Sequence, residues 1–286
     1  MTGESEGPLL ELEEITVRFG GHVAVDSVDL TVTAGAITGL IGPNGAGKTT
    51  TFNVITGLQA PSAGRVRLGG IDITRTRAHR RAQAGIGRTF QRLEVFGSLT
   101  ARENILVGVE LRRRWSRRAK PSERELALLA EAGLVSAAYD LGAIPVSEET
   151  DALIDLVGVG DVAHTRADEL PSGLARLVEL GRALATRPRL LLLDEPASGQ
   201  DEAETEAFAR LLTRLASTGM GILLVEHDVP LVMQLCEQVC VLDFGSVLAS
   251  GTPAEVQANK AVIDAYLGSE PVTTEALEQI HQADPA

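Results

Sequence analysis

Apolar positions fall into two kinds of pattern along the 286-residue chain. Short runs with little polar interruption occur at Ile37–Ile41, at Leu190–Leu193 and in the GILLV of GILLVEHDV. Such runs predict strands buried on both faces of a parallel sheet. Each is followed by residues able to do chemistry: a glycine-rich loop, then Asp194 and Glu195, then Glu226, His227 and Asp228. In an open α/β sheet the carboxyl edge of the strands is where ligands bind. Thr100–Ala185 instead carries apolar residues at helical spacing over most of its length. Within it, DELPSGLARLVEL (Asp168–Leu180) opens with proline, serine and glycine. Serine is a favoured N-cap, and proline suits a helix entrance. After Leu267 the chain turns polar with little apolar period, and a flexible tail is expected over 269–286.

Composition narrows the class. The length suits one large domain or a domain with an inserted subdomain, and 44% hydrophobic residues suffice for a sizeable core. No apolar run approaches the roughly 18 residues needed to cross a bilayer. The opening MTGESEGPLLELEE is acidic where a secretory signal would be basic and then apolar, so a soluble, cytoplasmic protein is expected. A formal charge of −13 argues against nucleic acid as a partner. Cys236 and Cys240, the only cysteines, read as small core residues rather than as a metal site. The run RRRWSRRAK, with Arg112, Arg113, Arg114, Arg117, Arg118 and Lys120, reads first as a solvated face. The sharper alternative is contact with anionic lipid or a membrane partner.

The loop after the first run, GPNGAGKTT, fits G-x-x-x-x-G-K-[ST] with Gly42, Gly47, Lys48 and Thr49. Glycines let successive backbone N–H groups turn inward around an anion, and the following helix adds its positive end. Pro43, Asn44, Gly45, Ala46 and Thr50 complete the cradle; Lys48 can reach the β- and γ-phosphates, and Thr49 can ligate Mg²⁺. The spacing is not G-x-G-x-x-G, which disfavours a dinucleotide-binding dehydrogenase. At the second strand end Asp194 can hold Mg²⁺, while Glu195 can orient or deprotonate an attacking water. His227, at the third, is placed to donate to the γ-phosphate.

With these pieces assembled, the chain resembles the ATP-binding subunit of ABC transporters over nearly all its length. The resemblance implies a P-loop NTPase of ABC type: an α/β fold with a mixed sheet core, an antiparallel β region and an inserted helical subdomain. It implies a RecA-like core over 1–98 and 187–268 and a helical insert over 99–186. GIGRTFQ looks like the family's glutamine loop, giving Gln91 a role in sensing Mg²⁺ and water and in touching the membrane partner. Phe19, in VRFGG, matches the aromatic that stacks on adenine, with a core phenylalanine as its alternative. His227 matches the switch histidine, and SGQD matches the loop ending on Asp201.

In this family ATP on one subunit's loop is covered by a signature segment, Leu-Ser-Gly-Gly-Gln, from a second. Counting back from GRALA aligns that segment with Leu170, Pro171, Ser172, Gly173 and Leu174, so Ser172 and Gly173 join the nucleotide site. Pro171 removes a hydroxyl and an N–H, Leu174 replaces the glutamine, and Gln200 replaces an apolar residue. The expectation is therefore turnover at this chain's own loop and slower turnover at the site its signature caps. RFGG..AV, GIGRTFQ, VEHDV and VIDAYLG further resemble the branched-chain amino-acid (Liv-type) importer ATPases, with urea, amide and lipopolysaccharide-export relatives close by. Such a resemblance implies an ATPase using ATP and Mg²⁺ on the cytoplasmic face of the membrane. Its implied partners are a second ATPase subunit, two transmembrane permeases and, indirectly, a solute-binding protein. A non-transport ABC ATPase of DNA maintenance or regulation, and a catalytically weak member of a two-ATPase pair, are the competing readings.

Overall fold

The computed structural model describes residues 7–118 and 145–267; the expected tail 269–286 and Lys120 of the basic run lie outside the described residues. Two sheets form the frame. The first, order β2-β1-β4-β5, is antiparallel and contains β1 (Leu10–Phe19), β2 (His22–Val32), β4 (Ala63–Leu68) and β5 (Ile71–Asp72). The second, order β10-β9-β3-β8-β7-β6, comprises β3 (Ile37–Ile41), β6 (Ile86–Arg88), β7 (Leu190–Asp194), β8 (Gly221–Val225), β9 (Gln238–Asp243) and β10 (Ser246–Gly251). All its pairings are parallel except that of β10 with β9.

The all-apolar strands are explained by what lies on each face. Leu190 and Leu192 of β7 face a core shared with the antiparallel sheet and α1 (Lys48–Thr56), including Phe52, Leu40 and Leu223. Leu191 and Leu193 face the opposite core, among α3 (Ala101–Arg118), α4 (Val146–Val157), α5 (Ser172–Leu184) and α6 (Glu202–Ser217). A strand between two such layers has no polar side, so the usual alternation disappears. The short helices α2 (Ala78–Gln83), α7 (Val229–Leu235), α8 (Pro253–Gln257) and α9 (Lys260–Leu267) fill connections around this frame. Helices α3, α4 and α5 all fall between β6 and β7, which are neighbours in the sheet. Among the described residues, no helix is long and apolar enough to cross a membrane.

Three readings are refined or corrected. Cys236 and Cys240 are free thiols buried in the two cores, and burial pushes each up to about 12. The serine of the DELPSGLARLVEL stretch is not the cap: Pro171 occupies the N-cap position without a side-chain bond, and Ser172 is the first helical residue. The basic run is not uniformly solvated. Arg112 is only 2% exposed and grips Glu149 of α4 at 2.5 and 2.6 Å, with its Nε donating to Ala185 O. Arg113 and Arg187 reach the same carboxylate at 3.3 and 2.9 Å, so one acid fastens α3, α4 and the lead into β7.

Candidate functional site

The loop Gly42–Thr49 leaves β3 and enters α1 at the carboxyl edge of the parallel sheet. At two of its glycines the backbone needs the missing side chain. Gly42 has φ +152°, and a Cβ there would lie 2.1 Å from Leu242 O; Gly47 has φ +104°, and its Cβ would lie 2.8 Å from Ala24 O. The loop is thus pressed onto β9 and β2, while Asn44, Gly45 and Thr49 stay exposed at its mouth. The β1–β2 hairpin lies alongside, with Asp26 N–H donating to Gly245 O and Gly245 N–H to Ala46 O. Phe19, at the end of β1, is half exposed, which removes its reading as a core residue.

Lys48 is the cation of this cradle. It is 7% exposed, and its Nζ donates to Gly42 O at 2.6 Å and Pro43 O at 3.1 Å. Burial lowers its pKa, opposed by the nearby carboxylates of Glu195 and Asp194. Among the described residues no carboxylate reaches ion-pair distance of Nζ. A buried ammonium bonded only to backbone carbonyls, in a loop that opens a helix, fits a polyphosphate.

Asp194 ends β7, 2% exposed, with Oδ2 accepting from Arg88 at 3.1 Å. Burial raises its carboxyl above the ordinary value, and the guanidinium draws it part of the way back. Arg88 also donates to Asn53 Oδ1 of α1 at 2.7 Å and lies over the rings of Phe52 and Phe90. Thr49, Gln91 and Asp194 offer oxygen donors, one of them a carboxylate. That set suits Mg²⁺, which takes few protein ligands beside substrate phosphates. No group of three or more His, Cys, Asp or Glu side chains able to hold a metal occurs among the described residues.

Glu195 is the meeting point. Its backbone sits at φ +51°, an uncommon conformation for a side-chain-bearing residue, and is held by its N–H donating to Val225 O at 2.8 Å. Gln91 Nε2 lies 3.0 Å from both of its carboxylate oxygens, and His227 Nε2 lies 2.7 Å from Oε1. Two separate segments therefore converge on the carboxylate of a third. His227 here faces Glu195, where the sequence pointed it toward phosphate.

The remaining expected site residues lie elsewhere in the chain's geometry. Ser172 and Gly173 open α5 beside Gly199, Gln200 and Glu204. Asp201 caps α6, accepting from Glu204 N at 2.8 Å while its own N–H donates to Glu204 Oε2. Among the described residues no hydrogen bond or ion pair links Ser172, Gly173 or Asp201 to the glycine loop.

Sequence reasoning missed Arg88 and Glu179, and it named Glu226 at a strand end without giving it a role. Glu226 is buried, its carboxylate accepting from Ala197 N at 2.7 Å and His227 N at 3.3 Å, so it ties β8 to the segment after Glu195. Its signal was an acid directly after an all-apolar strand. Arg88 sits inside the quoted GIGRTFQ, and Glu179 sits within the apolar face of α5.

Comparison with known proteins points to one family. Residues 25–198 match the family described as ABC transporter, and residues 246–272 match one described as branched-chain amino acid ATP-binding cassette transporter. The chain is 38% identical over 263 residues to the high-affinity branched-chain amino acid transport ATP-binding protein BraF of Pseudomonas aeruginosa, covering 91% of this chain and 98% of that one. It is 34% identical to LivG of Escherichia coli K12, with 91% and 98% coverage, and 32% identical to the lipopolysaccharide export system ATP-binding protein LptB of Haemophilus influenzae, with 92% and 98%. A nucleotide-free ATP-binding cassette from an ABC transporter superposes with a TM-score of 0.75 at 28% identity, over 92% of this chain and all of that one.

Proposed function

The chain belongs to the ABC transporter family, and from that premise we propose that it hydrolyses ATP to drive a membrane permease, importing branched-chain amino acids or a related small polar solute. The observation that carries the hydrolytic part is the convergence of Gln91 and His227 on Glu195, beside a buried Lys48 set in a phosphate-shaped loop. The loop amides and Lys48 bind the β- and γ-phosphates. Phe19 packs on the base. Thr49, Asp194 and Gln91 hold Mg²⁺, which neutralises phosphate charge when bound. Glu195 takes a proton from the attacking water, and His227 keeps that carboxylate oriented. In the structure Gln91 and His227 both contact the Glu195 carboxylate, so the attacking water shares its oxygens with them.

The working unit in this reading is a pair of ATPase subunits, with Ser172 and Gly173 closing over ATP on the partner and Asp201 near the seam. Its place is the cytoplasmic face of the membrane, bound to two permeases and served by a solute-binding protein. At the signature, Pro171 offers neither side-chain oxygen nor N–H at the helix entrance, whereas Ser172 is exposed there. This supports slower turnover at the site that this signature caps. The similarity to BraF and LivG favours import of branched-chain amino acids; that to LptB is the basis for a second reading, export.

Purification of the chain from its native membranes tests the proposal. Co-purification with two multi-span permeases, and Mg²⁺-dependent phosphate release by the complex, are expected. Recovery with DNA or ribosomes, or binding of Mg·ATP without any phosphate release, would overturn it.

A further inference from the structure

The sites described so far do not use Glu179, a deeply buried acid of α5. It lies on α5, seven residues after Ser172, and is only 2% exposed. An acid so placed ordinarily needs a close cationic partner or several donors. Its Oε1 accepts from Phe90 N–H at 3.4 Å, and the Glu94 amide also faces the carboxyl. Burial pushes it up to about 7, against the pull of Arg182 and Arg176.

Those two arginines act on the same segment. Arg176 donates to Gln91 O at 3.4 Å, and Arg182 donates to Glu94 O while lying over the Phe96 ring. Arg176, Glu179 and Arg182 stand three residues apart, on one face of the helix. Between them they hold the backbone of residues 90–94 at both ends. The other groups around Glu179 add no charge: Leu193 of β7, Phe208 of α6, Pro196 and Thr89. Glu94 is the further titratable group nearby, and it faces Arg182. The Thr89 hydroxyl is buried with no partner among the described residues, so the segment is not fully satisfied where it rests.

We propose that Glu179 is a positioning residue whose carboxylate fastens the Gln91 segment to the helix carrying Ser172 and Gly173, so that the two move together. The inference rests on the roles given above to Gln91 and to the signature segment. Gln91 sits on the carboxylate that the attacking water uses, and whatever moves residues 90–94 pulls on α5. The signature at the head of α5 is then displaced as the loop responds to phosphate. The bonds to the two amides offset only part of what it costs to keep the Glu179 charge out of water, so protonation near pH 7 relieves the packed arrangement.

Amide hydrogen exchange on the full chain, without nucleotide, tests the fastening directly. Opening solvates Glu179, and the buried carboxyl, raised to about 7, binds its proton more tightly than the opened one, so after correction for intrinsic rates protection of residues 90–94 should rise as pH drops from 8 to 6. Glu179→Ala should lose about ten- to a hundredfold of that protection at pH 8. Glu179→Gln, which keeps an acceptor without the charge, should retain part of it and show no pH step. Thermal unfolding serves as the control: Glu179→Gln should melt no lower than the parent at pH 8, because the buried charge is gone. Protection unchanged in both variants would overturn the proposal, as would a pH step that survives in Glu179→Gln. With Mg·ATP added, residues 90–94 and 170–175 should respond together in the parent and separately in Glu179→Ala. A parent-like joint response in Glu179→Ala also overturns it. Failure of the parent to bind Mg·ATP refutes the ATPase reading alone, since the nucleotide-free exchange still decides the clamp.

Discussion

Replacing Glu195 by glutamine separates chemistry from architecture. The amide has the same shape, so the backbone at φ +51° and the N–H bond to Val225 O are untouched. Gln91 Nε2 can still donate to the remaining carbonyl oxygen, and the new amide can face His227 Nε2, so both contacts at 3.0 and 2.7 Å have substitutes. The melting temperature should therefore move little. What disappears is the acceptor for the water proton. Positioned general bases contribute typically 10²–10⁴-fold, or about 3–5 kcal/mol of barrier. Phosphate release followed in a single turnover should slow by that factor. Binding of a fluorescent ATP analogue should persist, since Lys48 and the loop amides are unchanged. With hydrolysis blocked, ATP should hold two subunits together, visible as a doubled mass in light scattering. Hydrolysis at the parental rate would show that Glu195 is not the base, and the convergence on its carboxylate would need another explanation.

The same geometry sets three further outcomes. Lys48→Met removes a charge-assisted bond worth roughly 1.5–3 kcal/mol, so ATP affinity measured by titration should fall about 10- to 150-fold, with only a small change in melting temperature. Gly42→Ala should cost more than Gly45→Ala in both stability and nucleotide binding. A Cβ at Gly42 meets Leu242 O at 2.1 Å, whereas at Gly45 nothing lies within 4 Å; equal melting temperatures for the two would refute the tight seating on β9. Glu149→Gln removes the carboxylate that Arg112, Arg113 and Arg187 share, a loss of about 3–5 kcal/mol. Calorimetry should show a fall on the order of 10 °C, and an unchanged melting point would mean that solvent already screens the cluster.

The strands that frame the site were legible because a segment covered on both faces has no reason to carry polar residues, as in Ile37–Ile41 and Leu190–Leu193. The phosphate loop was legible for a similar reason: few residue types satisfy its backbone. The fate of single charges was not. Six basic residues in RRRWSRRAK look alike on paper, and Arg112 is singled out by a carboxylate 37 positions away on another helix. Ser172 was read as a cap, but the cap position falls one residue earlier, at Pro171. Arg88 belonged to a quoted motif, yet its bonds to Asn53 and to Asp194, 106 positions on, depend on β6 lying against β7, an adjacency that sequence order hides. Glu179 had a visible sign, an acid within an apolar helical face, whose meaning appeared only once the segment it holds was in view.

The path of the chain out of β6 and back at β7 has a mechanical reading. A helical lobe tied at both ends to adjoining border strands hangs like a door from one post. Both attachments lie at one side of the sheet, clear of the four strands from β8 to β10, which carry the phosphate loop and His227. Such a mounting lets the lobe grow or shrink at the small entropic cost of a longer closed loop.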